Sequence, residues 1–204
     1  MTGDTLTEGF SAFFIKAGEA VPALRRIPRP PPAPFDALLA HRRTMTEVLA
    51  AAWRSPLRRR TLEEEVAQGR LARTVLLLSG TGQPVEFAHL QIELDALPDA
   101  PPHSVSRSPT PFGAWLRAAG LEPRITVETF FTAEPTALLR QFLRHGAAPL
   151  WGRVANLHDE TGRLLARSLE IPAAPGPAGR PAPAGDPEVS GPEDWNASRL
   201  PGTG

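Results

Sequence analysis

Read for the spacing of its apolar residues, the chain divides into a run of short elements. Phe10, Phe13 and Phe14 form an apolar stripe behind Thr7, which predicts a short N-terminal helix capped by that threonine. Phe35–His41 reads as one or two helical turns. Thr44 is placed to cap a helix over Met45–Trp53, with Met45, Val48, Leu49 and Ala52 on one face and Pro56 as its stop. Pro56–Val66 fits either a polar strand or a salt-laced helix, because three arginines are followed by three glutamates. A hairpin follows: the Val- and Leu-rich strand Arg70–Ser79, the turn Gly80–Gln83, and an alternating return strand Pro84–Leu94. Pro111–Ala119 predicts a helix with proline in its first turn and Gly120 at its end. Leu121–Thr132 alternates as a strand, and Glu134–His145 is an amphipathic helix closed by Gly146. Trp151–His158 and Leu164–Ile171 flank an Asp-Glu-Thr-Gly turn as a last hairpin. Hairpins with helices set between them predict an α+β fold around one antiparallel sheet.

Composition marks the ends of this pattern. Of the 204 residues, 24 are proline, and Pro22, Pro28, Pro30, Pro31, Pro32 and Pro34 crowd one stretch, which reads as extended linker. The segment 173–204 is dominated by Pro, Gly and Ala, which cannot build a core, so a disordered tail is expected there, with Trp195 as a stray aromatic. The expected organisation is therefore an N-terminal segment and linker over 1–34, a folded domain over 35–172, and a tail over 173–204.

Charge removes several function classes. Lys+Arg and Asp+Glu are 22 each, so no net positive field favours nucleic acid. Cysteine is absent, which excludes disulfides and thiol chemistry. No apolar run approaches the ~20 residues of a membrane span, and no basic residue precedes the apolar patch Phe10–Ile15 as in a secretory signal. A cytoplasmic, cofactor-independent monomer is expected. The five histidines are scattered without ligand spacing, so no metal site is expected. Phosphate-loop, dinucleotide and nucleophile-elbow patterns are missing.

What stands out is arginine inside apolar strands. Arg73 shares a strand face with Leu71, Val75 and Leu77. A guanidinium keeps its charge, so burial demands an anionic partner. It either reaches water at the rim, pairs with an internal carboxylate such as Glu93, or grips a ligand carboxylate through two hydrogen bonds. Arg153, next to Trp151 on an alternating strand, poses the same question. Arg58–Arg60 with Glu63–Glu65 reads as a self-neutralised, solvated face.

Five segments together resemble the chorismate pyruvate-lyase family, over about Phe35–Pro172. They are Thr44-Met45-Thr46 with Leu49, the strand Gly69–Leu77 around Arg73, Thr110-Pro111-Phe112-Gly113 with Leu116, Leu150-Trp151-Gly152-Arg153, and Leu164–Pro172. The resemblance implies a sheet of about six strands flanked by helices around an internal pocket. It further implies that Met45 lines that pocket, that Arg73 holds a ring carboxylate, and that the backbone at Phe112 and Gly113 meets the ligand, with Arg153 nearby. The implied partner is a small aromatic or cyclohexadiene carboxylate. The implied activity is conversion of chorismate to 4-hydroxybenzoate and pyruvate without a cofactor.

The chain departs from the family at one point. Where the family carries its pocket glutamate, Ser168 stands, and Glu170 lies two residues on, on the same side of the strand. Glu170, with Ser168 beside it, is the candidate proton donor. Bulky Leu165, Leu169 and Ile171 lie on the opposite face with Arg167, so alternation leaves the inside of this strand open. Two further readings stand beside the lyase. One is a binding protein of the same fold that takes ring acids without reacting them, as effector-sensing domains of transcription regulators do, although no helix-turn-helix pattern precedes Phe35. The other is a scaffold working through its proline-rich ends.

Overall fold

The computed structural model describes residues 5–97, 102–144 and 148–174. In chain order the elements are α1 (Thr5–Lys16), β1 (Leu24–Ile27), α2 (Phe35–Leu39), α3 (Met45–Trp53), β2 (Leu57–Ala67), β3 (Arg70–Ser79), β4 (Pro84–Glu93), α4 (Pro102–Arg107), α5 (Phe112–Ala118), β5 (Arg124–Ala133), α6 (Ala137–Leu143), β6 (Leu150–His158) and β7 (Leu164–Pro172). The seven strands make one antiparallel sheet in the order β1-β5-β6-β7-β4-β3-β2. The fold is α+β, one sheet flanked by helices.

Local signals place several boundaries. Thr44 caps α3 through a reciprocal box: its Oγ1 accepts from Glu47 N at 3.3 Å, and Glu47 Oε2 accepts from Thr44 N at 3.1 Å. The ambiguous Arg/Glu stretch is a strand, β2, on the sheet edge beside β3, with its register shifted between Thr61 and Glu63. That shift turns Leu62 into the core. Helix α6 starts later than periodicity predicts, because Pro135 precedes Thr136, whose Oγ1 accepts from Leu139 N. The expected end at His145 and Gly146 lies outside the described residues, as does Trp195.

The sheet expected with about six strands has seven among the described residues. One expectation changes: the folded body reaches back past Phe35. Within the stretch read as linker, Leu24–Ile27 pairs with β5, Leu24 opposite Ala133 and Ile27 opposite Phe130. Ahead of it, α1 packs on β4 and β7 and buries Leu6, Phe10, Phe13 and Phe14 completely. Thr7 lies inside α1 rather than at its cap. The phenylalanines close on Phe87, with ring centroids 5.7–6.1 Å away, and Phe87 stacks on Phe142 of α6. Proline density signalled chain that cannot propagate a helix, and this was read as lack of structure. A four-residue edge strand tolerates prolines at its end.

Helices thus cover both faces of the central strands. On one face α1 and α6 pack on Leu76, Phe87, Leu169 and Ile171. On the other, α2, α3 and α5 pack against Val75, Leu77 and Ala88 and against Leu71, Ile92 and Ala166. For β7 this answers what alternation left open: both of its faces are inside, Leu169 and Ile171 toward α1, Ser168 and Glu170 toward α3.

Candidate functional site

A cavity of about 50 Å³ lies between the sheet and helices α3 and α5. The register builds its floor. Arg73 stands opposite Leu90, which stands opposite Ser168, and Ala88 stands opposite Glu170, which stands opposite Arg153. Because side chains alternate across a sheet, all of these point to one face. Glu86, two residues before Ala88, shares that face, and so does Arg59 on β2, opposite Leu77. Met45 at the start of α3 and Phe112 at the start of α5 roof the cavity, each 5% exposed.

Arg73 is 2% exposed. Its Nη1 donates to the carbonyl of Val105 at 3.1 Å, and its guanidinium carbon sits 5.8 Å from the centre of the Phe112 ring. Its Nε has no hydrogen-bond partner among the described residues. Burial, and then the Arg59 charge, lower its pKa to about 9, so it stays charged at neutral pH, with Glu64 opposing the shift. Glu93, the internal carboxylate considered for it, bonds Arg70 instead, at 2.8 Å on the exposed edge. Arg73 is therefore neither a rim arginine nor one of a hydrogen-bonded carboxylate pair.

Arg59 corrects a second expectation. Its side chain is only 4% exposed, not solvated, and lies 3.6 Å from Glu64. Nη2 donates to the carbonyls of Ser106 and Ser108, while Nε and Nη1 carry no hydrogen bond among the described residues. The triple-arginine run hid it. Once β2 pairs with β3, period two puts the middle arginine on the Arg73 face.

Arg153 is equally buried but committed. Nε donates to Glu170 Oε2 at 2.6 Å, and Nη1 donates to the carbonyls of Leu39 at 3.0 Å and His41 at 3.2 Å. Ser168 Oγ donates to the other oxygen, Glu170 Oε1, at 2.9 Å. Glu170 is thus held as an acceptor on both oxygens, and Arg153, with Nε and Nη1 engaged, braces it from the cavity wall. His41, beside the Arg153 guanidinium, has its pKa lowered to about 4 by partial burial and then by that charge.

Glu86 escaped the sequence reading. It is 2% exposed, and its Oε1 has no hydrogen-bond partner among the described residues. Burial, reinforced by the Glu170 carboxylate, holds its carboxyl well above the usual carboxylate range, against the pull of Arg153. The signal was available: a lone carboxylate inside the otherwise apolar alternation of β4. Gly113 lines the cavity, and a Cβ there would stand 2.7 Å from Thr44 Cβ, so glycine also lets α5 approach the start of α3. At Phe112 it is the ring, over Arg73 and stacked on Trp115, that meets the site.

The arrangement is bipolar. Arg73 and Arg59, with spare donors, form one end, and Glu86 beside the Arg153–Glu170 pair forms the other. Arg73 and Glu86 lie four residues apart in register, roughly 13 Å of strand rise. Among the described residues, no group of three or more His, Asp or Glu comes together to hold a metal ion, and no helix is long and apolar enough to cross a membrane.

No family model and no curated protein sequence matches the chain. Solved structures similar to it include PhnF from Mycobacterium smegmatis, at 16% identity and TM-score 0.48, covering 64% of this chain and 63% of that one. The effector domain of the same PhnF matches at 14% identity and TM-score 0.47, covering 64% and 88%. A GntR-family transcriptional regulator from Bacillus cereus matches at 11% identity and TM-score 0.42, covering 62% and 97%. The chain spans less than two thirds of intact PhnF, and at such identities no residue role passes between them.

Proposed function

We propose that the protein binds a small ring carboxylate, with the carboxylate on Arg73. The observation that carries this reading is a buried, charged guanidinium whose Nε, beside a cavity, has no partner among the described residues. A buried cation left short of hydrogen bonds costs stability, and an anion that completes them recovers it. The planar fork matches a carboxylate, and the Phe112 ring and the leucines of β3 and β4 suit a flat apolar body. Met45, unbranched and adaptable, is the roof residue that would yield to a ring larger than the present hollow.

The test is calorimetric titration of the full chain with benzoate and 4-hydroxybenzoate, repeated on Arg73→Met. Binding that disappears in the variant supports the reading, and no heat of binding from either acid overturns it.

A second reading, lyase chemistry on chorismate, is favoured by Glu86, a buried carboxyl on the cavity wall whose pKa burial raises, where a proton donor is needed. In that reaction a ring carbon–oxygen bond breaks, a ring proton leaves as the ring becomes aromatic, and the enolpyruvate leaving group takes up a proton to end as pyruvate. Glu86, not the ion-paired Glu170, would give that proton. General-acid help is worth about 10²–10⁴ in rate. Pyruvate release above the spontaneous rate, slowed by Glu86→Gln by about that factor, supports this reading, and no release retires it.

A further inference from the structure

The charges around the cavity differ in how far they are already matched. Arg59, Arg73 and Arg153 bring three positive charges to its walls; Glu170 brings a negative one there, and Glu64, outside the lining, lies 3.6 Å from Arg59. Glu170 is matched to Arg153, and Glu64 answers Arg59. One positive charge, at the Arg73 end, is in surplus while Glu86 is uncharged. Arg153 has Nε on Glu170 and Nη1 on the carbonyls of Leu39 and His41, so the cation at the far end already has its charge matched by Glu170 and two of its three nitrogens engaged. What that end offers is the Glu86 carboxyl, buried, lining the cavity and lacking a partner on Oε1 among the described residues.

We infer that Glu86 forms a subsite for an uncharged hydrogen-bonding group, so that the pocket accepts ring monoanions bearing such a group opposite the carboxylate and rejects ring dianions. This rests on the carboxylate lying at Arg73. A second carboxylate on the ligand would sit against Glu86 and Glu170, where the one cation at hand, Arg153, is already matched by Glu170, and an unmatched buried charge is a strong device of exclusion. A neutral hydroxyl there meets a carboxyl able both to donate to it and to accept from it. Chorismate carries two carboxylates, so the same device weighs against it as a substrate.

The experiment titrates the full chain at neutral pH with 4-hydroxybenzoate, benzoate and terephthalate, which has a second carboxylate in place of the hydroxyl. The wild type is expected to bind 4-hydroxybenzoate at least about a hundredfold more tightly than terephthalate. Glu86→Gln, neutral and of the same shape, keeps the 4-hydroxybenzoate affinity within about threefold, and Glu86→Leu loses about three- to tenfold of it without weakening benzoate. Terephthalate binding as well as 4-hydroxybenzoate overturns the inference, even if neither variant folds. So does a Glu86→Gln protein that folds, still binds benzoate, and has lost 4-hydroxybenzoate. If none of the three acids binds the wild type, the placing of a carboxylate at Arg73 is what fails, and the inference falls with it.

Discussion

Arg73 and Arg153 are the two largest fully buried charged side chains, and replacing each with methionine should move stability in opposite directions. For Arg73 the net shift from 12.5 to about 9, from burial first and the Arg59 charge second against the pull of Glu64, corresponds to roughly 5 kcal/mol against the charged form inside the protein. Set against this are one hydrogen bond to Val105 O, worth about 1 kcal/mol, and the attraction of the Phe112 ring, about 1–2 kcal/mol when desolvated. Methionine keeps most of the stem packing. Glu64, left behind, is partly exposed and retains Arg59. Arg73→Met is therefore expected to be about 1–4 kcal/mol more stable than the wild type. Arg153→Met strands Glu170, 9% exposed at its side chain, with only Ser168 to bond it, and should cost about 3–5 kcal/mol. Urea unfolding reads both, with an unchanged slope showing that the midpoint shift is a stability change. An Arg73→Met protein weaker than wild type by more than about 2 kcal/mol would mean that this arginine is structurally paired after all. The claim of a cation held for a ligand would then be refuted.

Other expectations follow from single contacts. Gly152→Ala would place a Cβ 2.7 Å from the backbone oxygen of Glu170 and against the Phe131 ring, so the β6–β7 pairing must shift; a loss of several kcal/mol by urea unfolding is expected, and a neutral substitution would contradict the register. Phe13→Ala, in the short N-terminal helix ahead of the proline-rich stretch, should cost about 3–5 kcal/mol, whereas a value near zero would mean that α1 is not part of the core. His89 is buried, with Nδ1 2.9 Å from Thr74 Oγ1 and Nε2 unpartnered among the described residues, and burial lowers its pKa to about 4. Its unfolded form takes a proton near 6.5, so the stability of keeping it neutral is complete above that pH and is lost as pH falls toward 4, by up to about 3 kcal/mol. An imidazole NMR titration that places His89 near 6.5 in the folded protein would contradict this.

Several elements were legible because their causes are local. Thr44 followed by Glu47 is a capping signal that works within one turn, and Gly80–Gln83 between two alternating runs specifies a hairpin without help from the rest of the chain. Arg73 was legible as an anomaly, since a charge in an apolar strand needs an explanation wherever the strand lies. Arg59 and Glu86 were harder to see. Their positions became meaningful only when β2 and β4 were placed on either side of β3, which puts both on the Arg73 face.

The sequence by itself determined the hairpins, the Thr44 cap and the antiparallel α+β class, since period, turn chemistry and capping act over a few residues. Tertiary structure decided which arginine was spent and which was spare. Arg73 and Arg153 look alike along the chain, yet pairing β6 with β7 sets Glu170 opposite Arg153 in a direct hydrogen bond, while the carboxylate opposite Arg73, Glu64 of β2, lies against Arg59 instead. It also decided that the N-terminal phenylalanines belong to the core, because only the closed sheet offers them Phe87 and Phe142 to pack on. Long-range register, which no local pattern encodes, separates the charge that holds the fold together from the charge left for a ligand.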